Sequence, residues 1–241
     1  MIIMLQYWTG DEAKALTLAR LLADLERGPR KAVYLVLARA FDCNWSEEAE
    51  QARVYCSRVF TVIPVQSSYQ KTGHPDGAFG IWAGALDRLY VLWNKPAIPW
   101  HAGRTVFCCE ADGVPLRQDW LDRMIQAHKM TLTQGRRVTG AVMDEPMPHV
   151  NGNFMMDLQV WADYPSLRDC PPGVAWDLHH APILLREARS SYVIRNEYNT
   201  RNWTAGSLGP IGREAAWLHG CKDNSVLEFV RLMMRTVWRA G

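Results

Sequence analysis

Residues 104–116 read Arg-Thr-Val-Phe-Cys-Cys-Glu-Ala-Asp-Gly-Val-Pro-Leu. Arg104–Cys109 is an apolar run with β-branched members, which predicts a buried strand. It stops at two carboxylates, Glu110 and Asp112, with one residue between them, and then Gly113 and Pro115 break the chain. In open α/β sheets, ligands sit outside the carboxyl ends of the strands, so acidic side chains at such an end decide where to look for a site.

Upstream, strand-like and helix-like segments alternate. Met1–Trp8, Lys31–Ala40 and Val59–Val65 are apolar runs that predict three earlier strands. Between the first two, Ala15, Leu18, Ala19, Leu22 and Leu25 recur at helical spacing until Gly28-Pro29 stops them. Ser46 ahead of Glu47 and Glu48 reads as the N-cap of a second helix ending near Cys56. Asp76 is expected to cap a third helix that runs to Trp93. Downstream, a helix is expected over Pro115–Met130 and a fifth strand over Arg137–Met143. The pattern predicts an α/β fold, a mostly parallel sheet flanked by helices. Thr9-Gly10-Asp11, Gln66–Gly77 and Glu110–Gly113 each follow a strand and should share one rim. After Asp144 the sequence turns loop-rich, punctuated by Pro146, Pro148, Pro165, Pro171, Pro172, Pro182 and Pro210. A final helix is expected over Ser225–Arg239.

Composition bounds the rest. The chain has 241 residues, 48% hydrophobic and 22% charged, with a formal net charge of +2. These values exclude disordered, collagen-like and coiled-coil classes and oppose a protein that coats nucleic acid. The six cysteines are scattered without close CxxC pairs, which predicts reduced core thiols rather than a zinc site. The N-terminus does not resemble a signal peptide, and no stretch of roughly 18 apolar residues occurs, so a cytoplasmic protein is expected. GxxxxGK, GxGxxG after the first strand and GxSxG are all absent. The 11 tryptophans are an excess, and such rings either fill cores or line sites for flat rings and sugars.

Glu110 and Asp112 suit Mg²⁺ or Mn²⁺ bound to a substrate diphosphate, although carboxylates after a strand also cap helices. In Trp217-Leu218-His219-Gly220-Cys221-Lys222-Asp223, His219 offers a nitrogen ligand, Gly220 permits close backbone approach and Lys222 pairs with phosphate. A plain surface loop with Asp223 capping the last helix is the alternative. Tyr192–Asn199 reads as a short strand and turn, from which Asn196 or Tyr198 could reach the site, although nothing in the spacing demands it.

Together these motifs resemble the GT-A class of nucleotide-sugar glycosyltransferases. Glu110-Ala111-Asp112 matches their acidic metal motif with Glu at the first position, and His219-Gly220-Cys221-Lys222 matches their late His on the same metal. The resemblance implies Mn²⁺ or Mg²⁺ held by Asp112, Glu110 and His219, and a donor, most simply a uridine one, bound by Tyr7, Thr9, Gly10, Asp11, Gly73, His74, Ala111, Asp112, Gly220 and Lys222. It implies that Trp82 helps cover ribose and diphosphate. Asn151, Gly152 and Asn153, in a small loop after the fifth strand, would face sugar and acceptor together with Trp176 and Asp177. Asp177 would act at the acceptor hydroxyl, as base or as stabiliser of an oxocarbenium-like centre, unless it only caps a helix. Residues 1–143 would bind the nucleotide sugar and residues 144–241 the acceptor.

Viral enzymes that glycosylate hydroxymethylated DNA bases share this compact layout. The leading expectation for the acceptor is therefore 5-hydroxymethylcytosine or a similar modified base in DNA, with polysaccharide, lipid and protein as the alternatives. Arg136, Arg137, Arg201 and the Arg231/Arg235/Arg239 helix face would contact phosphates, and Trp161, Trp176 or Trp203 would attend a flipped base. A nucleotidyltransferase and a non-catalytic nucleotide-sugar-binding module are the other readings.

Overall fold

The computed structural model describes residues 1–94, 104–207 and 214–238. Four strands, β1 (Ile2–Tyr7), β2 (Tyr34–Arg39), β3 (Thr61–Gln66) and β4 (Thr105–Glu110), lie side by side in the order β3-β2-β1-β4, all parallel. Every residue of β1 is buried, as expected for a central parallel strand covered on both faces. The crossovers are α1 (Glu12–Leu25), α2 (Glu47–Cys56) and α3 (Asp76–Trp93). Ser46 caps α2 as expected, its Oγ accepting from the Ala49 amide at 3.0 Å. Asp76 does not cap α3. It is the first helical residue, and its carboxylate accepts from the Gly173 amide at 2.8 Å, tying a distant loop to the helix start.

Beyond β4 the structure departs from the expected pattern. The helix expected from Pro115 begins at Trp120: Val114–Pro115 is a short strand, β5, and α4 spans Trp120–Thr133. The predicted fifth strand exists as β6 (Val138–Met143) but does not pair with β4. Between them lies β7 (His149–Asp157), antiparallel to both, built from the Asn/Gly segment expected to be a loop. Phe154, Met155 and Met156 are fully buried there and make this a central strand despite its polar start. A short edge strand, β8 (Ala188–Ser190), completes the order β3-β2-β1-β4-β7-β6-β8.

A second sheet stacks β5-β10-β9, where β9 is Ile194–Thr200 and β10 is Trp217–Cys221. Helices α5 (Leu158–Asp163), α6 (Trp176–His179) and α7 (Ala181–Glu187) lie between β7 and β8 in sequence. The last helix, α8, spans Ser225–Met233 and continues as a π-helical turn over Met234–Trp238; Arg239 lies outside the described residues. Asp223 accepts from the Ser225 amide at 3.0 Å at its start.

The tryptophan excess is mainly a core feature. Trp82, Trp120, Trp161 and Trp217 are fully buried. Trp82 stacks on Trp176 at 4.3 Å and meets Trp161 edge-on at 5.2 Å, geometries that aromatic quadrupoles favour. Trp82 and Trp217, expected beside the site, are therefore packing residues; Trp100 lies outside the described residues. All six cysteines are buried free thiols, as expected. No helix among the described residues is long and apolar enough to cross a membrane.

Candidate functional site

A cavity of about 640 Å³ opens at the carboxyl ends of the parallel strands. The expected rim supplies it: Tyr7, Trp8 and Asp11 after β1, Ala40 and Asp42 after β2, Lys71 to Pro75 after β3, and Glu110 to Asp112 at the end of β4. Because β7 runs the other way, its beginning reaches the same rim with Asn151 and Gly152. Trp176 and Asp177 of α6, His219 of β10 and Lys222 close the wall.

Glu110, Asp112 and His219 converge there. His219 Nε2 lies 3.0 Å from Glu110 Oε2 and 2.8 Å from Asp112 Oδ1. One potential ligand atom from each residue falls within 4.8 Å of the others. Backbone pairing delivers them: the Cys221 amide donates to the Asp112 carbonyl at 2.9 Å, which docks β10 on the turn after β4. The β10–β9 register slips between His219 and Cys221, and Gly220 at the slip has φ +93°, a conformation that side-chain-bearing residues rarely adopt. Gly220 thus shapes the strand and does not line the cavity, where a donor contact was expected. The slip leaves Lys222 free to reach Asp112 Oδ2 at 2.5 Å.

Electrostatics bind this cluster. Burial alone would raise the Asp112 carboxyl, but His219 and Lys222 outweigh it and hold the group well below the usual carboxylate range. Burial alone would lower His219, and the two carboxylates override it and push the imidazole upward. Asp11 rises to about 6, chiefly through burial, with Glu110 and Asp112 adding repulsion. Asp112 Oδ1 is buried, with His219 Nε2 as its near neighbour at 2.8 Å. Two carboxylates and an imidazole converging on one point are a donor set that suits Mn²⁺ or Mg²⁺, so the residues fit a divalent cation.

On the β1 side, Tyr7 lines the cavity with a buried hydroxyl that has no partner among the described residues. Trp8 is 57% exposed, and its indole lies over Gly10, where a Cβ would stand 2.3 Å from the ring. The Trp8 amide donates to Asp11 Oδ1 at 2.9 Å. Thr9 and Gly10, expected donor contacts, are exposed and do not line the cavity; Gly73, His74 and Ala111 do.

Opposite, Asp177 sits in the first turn of α6, where its Oδ1 accepts from the Leu178 amide at 3.0 Å and its Oδ2 lies 3.9 Å from His149 Nε2. Burial is the main cause that raises its pKa, against the opposing pull of His149. The N-capping alternative does not hold, because Ala175 occupies the cap position. Trp176 reaches the cavity but is nearly buried, and one face is taken by Trp82. Asn153, expected at the acceptor, points away: it is fully buried, and its Oδ1 accepts from the Glu110 amide at 3.3 Å and Trp217 Nε1 at 3.1 Å. It braces the end of β4 that carries Glu110.

Gln6, Lys14, Asp42 and Lys71 also line the cavity and were not anticipated. Gln6 had a signal, a lone amide in an apolar run, and Asp42 follows a strand by the same rim rule. Lys14 had none, since its reach depends on β10: its Nζ donates to the Cys221 carbonyl at 2.5 Å.

The residues suggested for nucleic acid are mostly engaged elsewhere. Arg137 pairs with Glu187 at 2.9 Å and with Asp163, and Arg136 donates to the Arg186 carbonyl. Trp161 and Trp203 are buried. Arg231 and Arg235 are exposed on the last helix. Asn196 contacts the site through His219; the side chain of Tyr198 lies outside the described residues.

No family model matches the sequence, and no curated protein does. Solved structures resemble the fold. The galactosyltransferase LgtC in complex with donor and acceptor sugar analogs aligns over 100% of this chain and 99% of its own, at 11% identity and a TM-score of 0.51. Mouse xyloside xylosyltransferase 1 aligns over 93% of this chain and 99% of its own at 12% identity, TM-score 0.52. The glycosyltransferase GlyE of Streptococcus pneumoniae TIGR4 covers 99% of this chain with 61% of its own length, at 9% identity and TM-score 0.55. The fold is thus GT-A-like, as the motifs implied.

Proposed function

We propose that this chain is a metal-dependent glycosyltransferase that moves a sugar from a nucleoside diphosphate sugar, a uridine one first, to a hydroxyl acceptor. The observation that carries the proposal is the meeting of Glu110, Asp112 and His219 at the rim of a cavity on a GT-A-like sheet. A cation held by these three residues, Mn²⁺ or Mg²⁺, supplies charge neutralisation for the departing diphosphate.

The chain's own groups supply the rest. Lys222 lies against Asp112 and Lys14 against the Cys221 carbonyl, so two ammonium groups border the place where phosphate charge develops. Trp8 offers an exposed ring face, and Tyr7 and Gln6 offer unpartnered polar atoms, for the nucleoside. Asp177 accepts the proton of the acceptor hydroxyl while the bond from the anomeric carbon to phosphate breaks and the bond to the acceptor oxygen forms. If configuration is retained, Asp177 instead stabilises the cationic sugar. Asn151 and Gly152 border the same side.

For the acceptor, the reading favours a saccharide hydroxyl. One neighbour in fold is described with an acceptor sugar analog, and another is named for a xyloside. Of the residues suggested for DNA, Arg136 and Arg137 are held by other protein groups and Trp161 and Trp203 are buried.

The test is incubation with a panel of nucleotide sugars and Mn²⁺, with saccharide and hydroxymethylcytosine-DNA acceptors in separate arms, read by mass spectrometry. We expect a glycosylated saccharide, lost in Asp112→Ala and reduced at least about 100-fold in Asp177→Asn, which keeps its metal affinity. Full activity with the metal chelated overturns the proposal. Donor binding without turnover marks a binding module, and release of pyrophosphate marks a nucleotidyltransferase.

A further inference from the structure

His219 has two ring nitrogens, and only one can serve the cluster. Its Nε2 faces Glu110 and Asp112. Beside two carboxylates, a neutral imidazole gains most by keeping its proton on Nε2 and donating it. That tautomer has no lone pair for a cation, so some other group must hold the proton on Nδ1.

That group is on the neighbouring strand. His219 of β10 stands opposite Asn196 of β9 in the parallel register. Asn196 Oδ1 lies 2.6 Å from His219 Nδ1. An amide oxygen only accepts, so Nδ1 must donate. The orientation of the amide is set from its other end: Asn196 Nδ2 donates to the Met143 thioether at 3.4 Å. The thioether has no hydrogen to give, so a reversed amide would set oxygen against sulfur and leave the –NH₂ facing a nitrogen that must then give up its proton.

We propose that Asn196 is a positioning residue for the metal centre, its amide oxygen holding His219 in the tautomer that presents an unprotonated Nε2 to a divalent cation. The inference rests on the reading that Glu110, Asp112 and His219 bind such a cation. It extends that centre, already drawn from β4 and β10, to a third strand, β9, and to Met143, neither of which lines the cavity.

The test is Mn²⁺ binding to the full chain by calorimetry and electron paramagnetic resonance, without donor or acceptor. Wild type, Asn196→Ala, Asn196→Asp and His219→Ala are compared, with thermal melts to report folding. Asn196→Ala should bind Mn²⁺ about 10- to 100-fold more weakly. Asn196→Asp should stay within a few-fold of wild type, because a carboxylate also accepts from Nδ1–H. Equal affinity of wild type and Asn196→Ala overturns the inference and leaves the metal centre standing. Absence of Mn²⁺ binding by folded wild type overturns the metal reading itself. Should Asn196→Ala fail to fold, ¹⁵N NMR of the Mg²⁺-loaded wild type decides: a proton on Nδ1 of His219 supports the inference, and a proton on Nε2 overturns it.

Discussion

Gly152 and Glu110 touch across neighbouring strands: a Cβ built at Gly152 would stand 3.0 Å from Glu110 Oε1. The missing methyl group is what lets the Glu110 carboxylate rest against β7 while it faces His219. Because the obstructed atom is the end of a flexible side chain, Gly152→Ala should alter the melting temperature by only a few degrees. It should displace the carboxylate by a few tenths of an ångström and weaken Mn²⁺ binding several-fold. Calorimetric titration checks this, and unchanged affinity would show that Glu110 does not ligate directly.

Gly220 should behave differently. Its φ of +93° is a backbone conformation that strains an alanine whatever space surrounds it. Gly220→Ala should cost about 1–3 kcal/mol, or several degrees in melting temperature for a chain of this size. The slip between His219 and Cys221 would be disturbed with it, so metal affinity and stability should fall together. A stable variant with normal Mn²⁺ binding would contradict this.

The Trp82–Trp176 stack anchors the helix that carries Asp177. Trp82→Ala should destabilise the protein by about 3–5 kcal/mol through the cavity it opens. It should also loosen α6, so transfer should decline more than nucleotide-sugar binding. Denaturant unfolding together with separate kcat and KM measurements tests both halves of the expectation.

Two buried histidines make stability depend on pH. His128 bonds Thr139 at 2.9 Å, and burial lowers its pKa to about 4; burial likewise lowers His180 to about 4. In the unfolded chain both titrate near 6.5. Between these values the unfolded state binds protons that the folded state excludes, so the contribution of these two histidines to stability is full above pH 6.5 and is lost as pH falls toward 4. Each histidine contributes a slope of up to about 1.4 kcal/mol per pH unit in that window. Urea unfolding at pH 7.5, 5.5 and 4.5 should show it, and His128→Leu should flatten the curve. An unaltered slope in His128→Leu would count against the buried neutral imidazole.

Much of this molecule follows from local sequence. Apolar runs closed by turns mark β1 to β4, Ser46 announces α2, and the carboxylates after residue 109 lie on the carboxyl rim because strand direction alone puts them there. Strand 149–157 was hidden because its polar start, Asn151 to Asn153, imitates a turn. Only the edges of β4 and β6, which accept its backbone, make it a strand, and Trp217 and the Glu110 amide give Asn153 its buried partners. The tryptophans were ambiguous for the same reason: one residue type fills a core or lines a pocket, and neighbours decide. His219, Gly220 and Lys222 were recognisable as a motif, yet their geometry depends on the slip in β10 and on Asn196 across the strand. Short-range patterns thus determine elements and the rim they share, since backbone periodicity is local. Which side chains meet at that rim is decided by pairing between strands far apart in sequence, and only the tertiary structure supplies that.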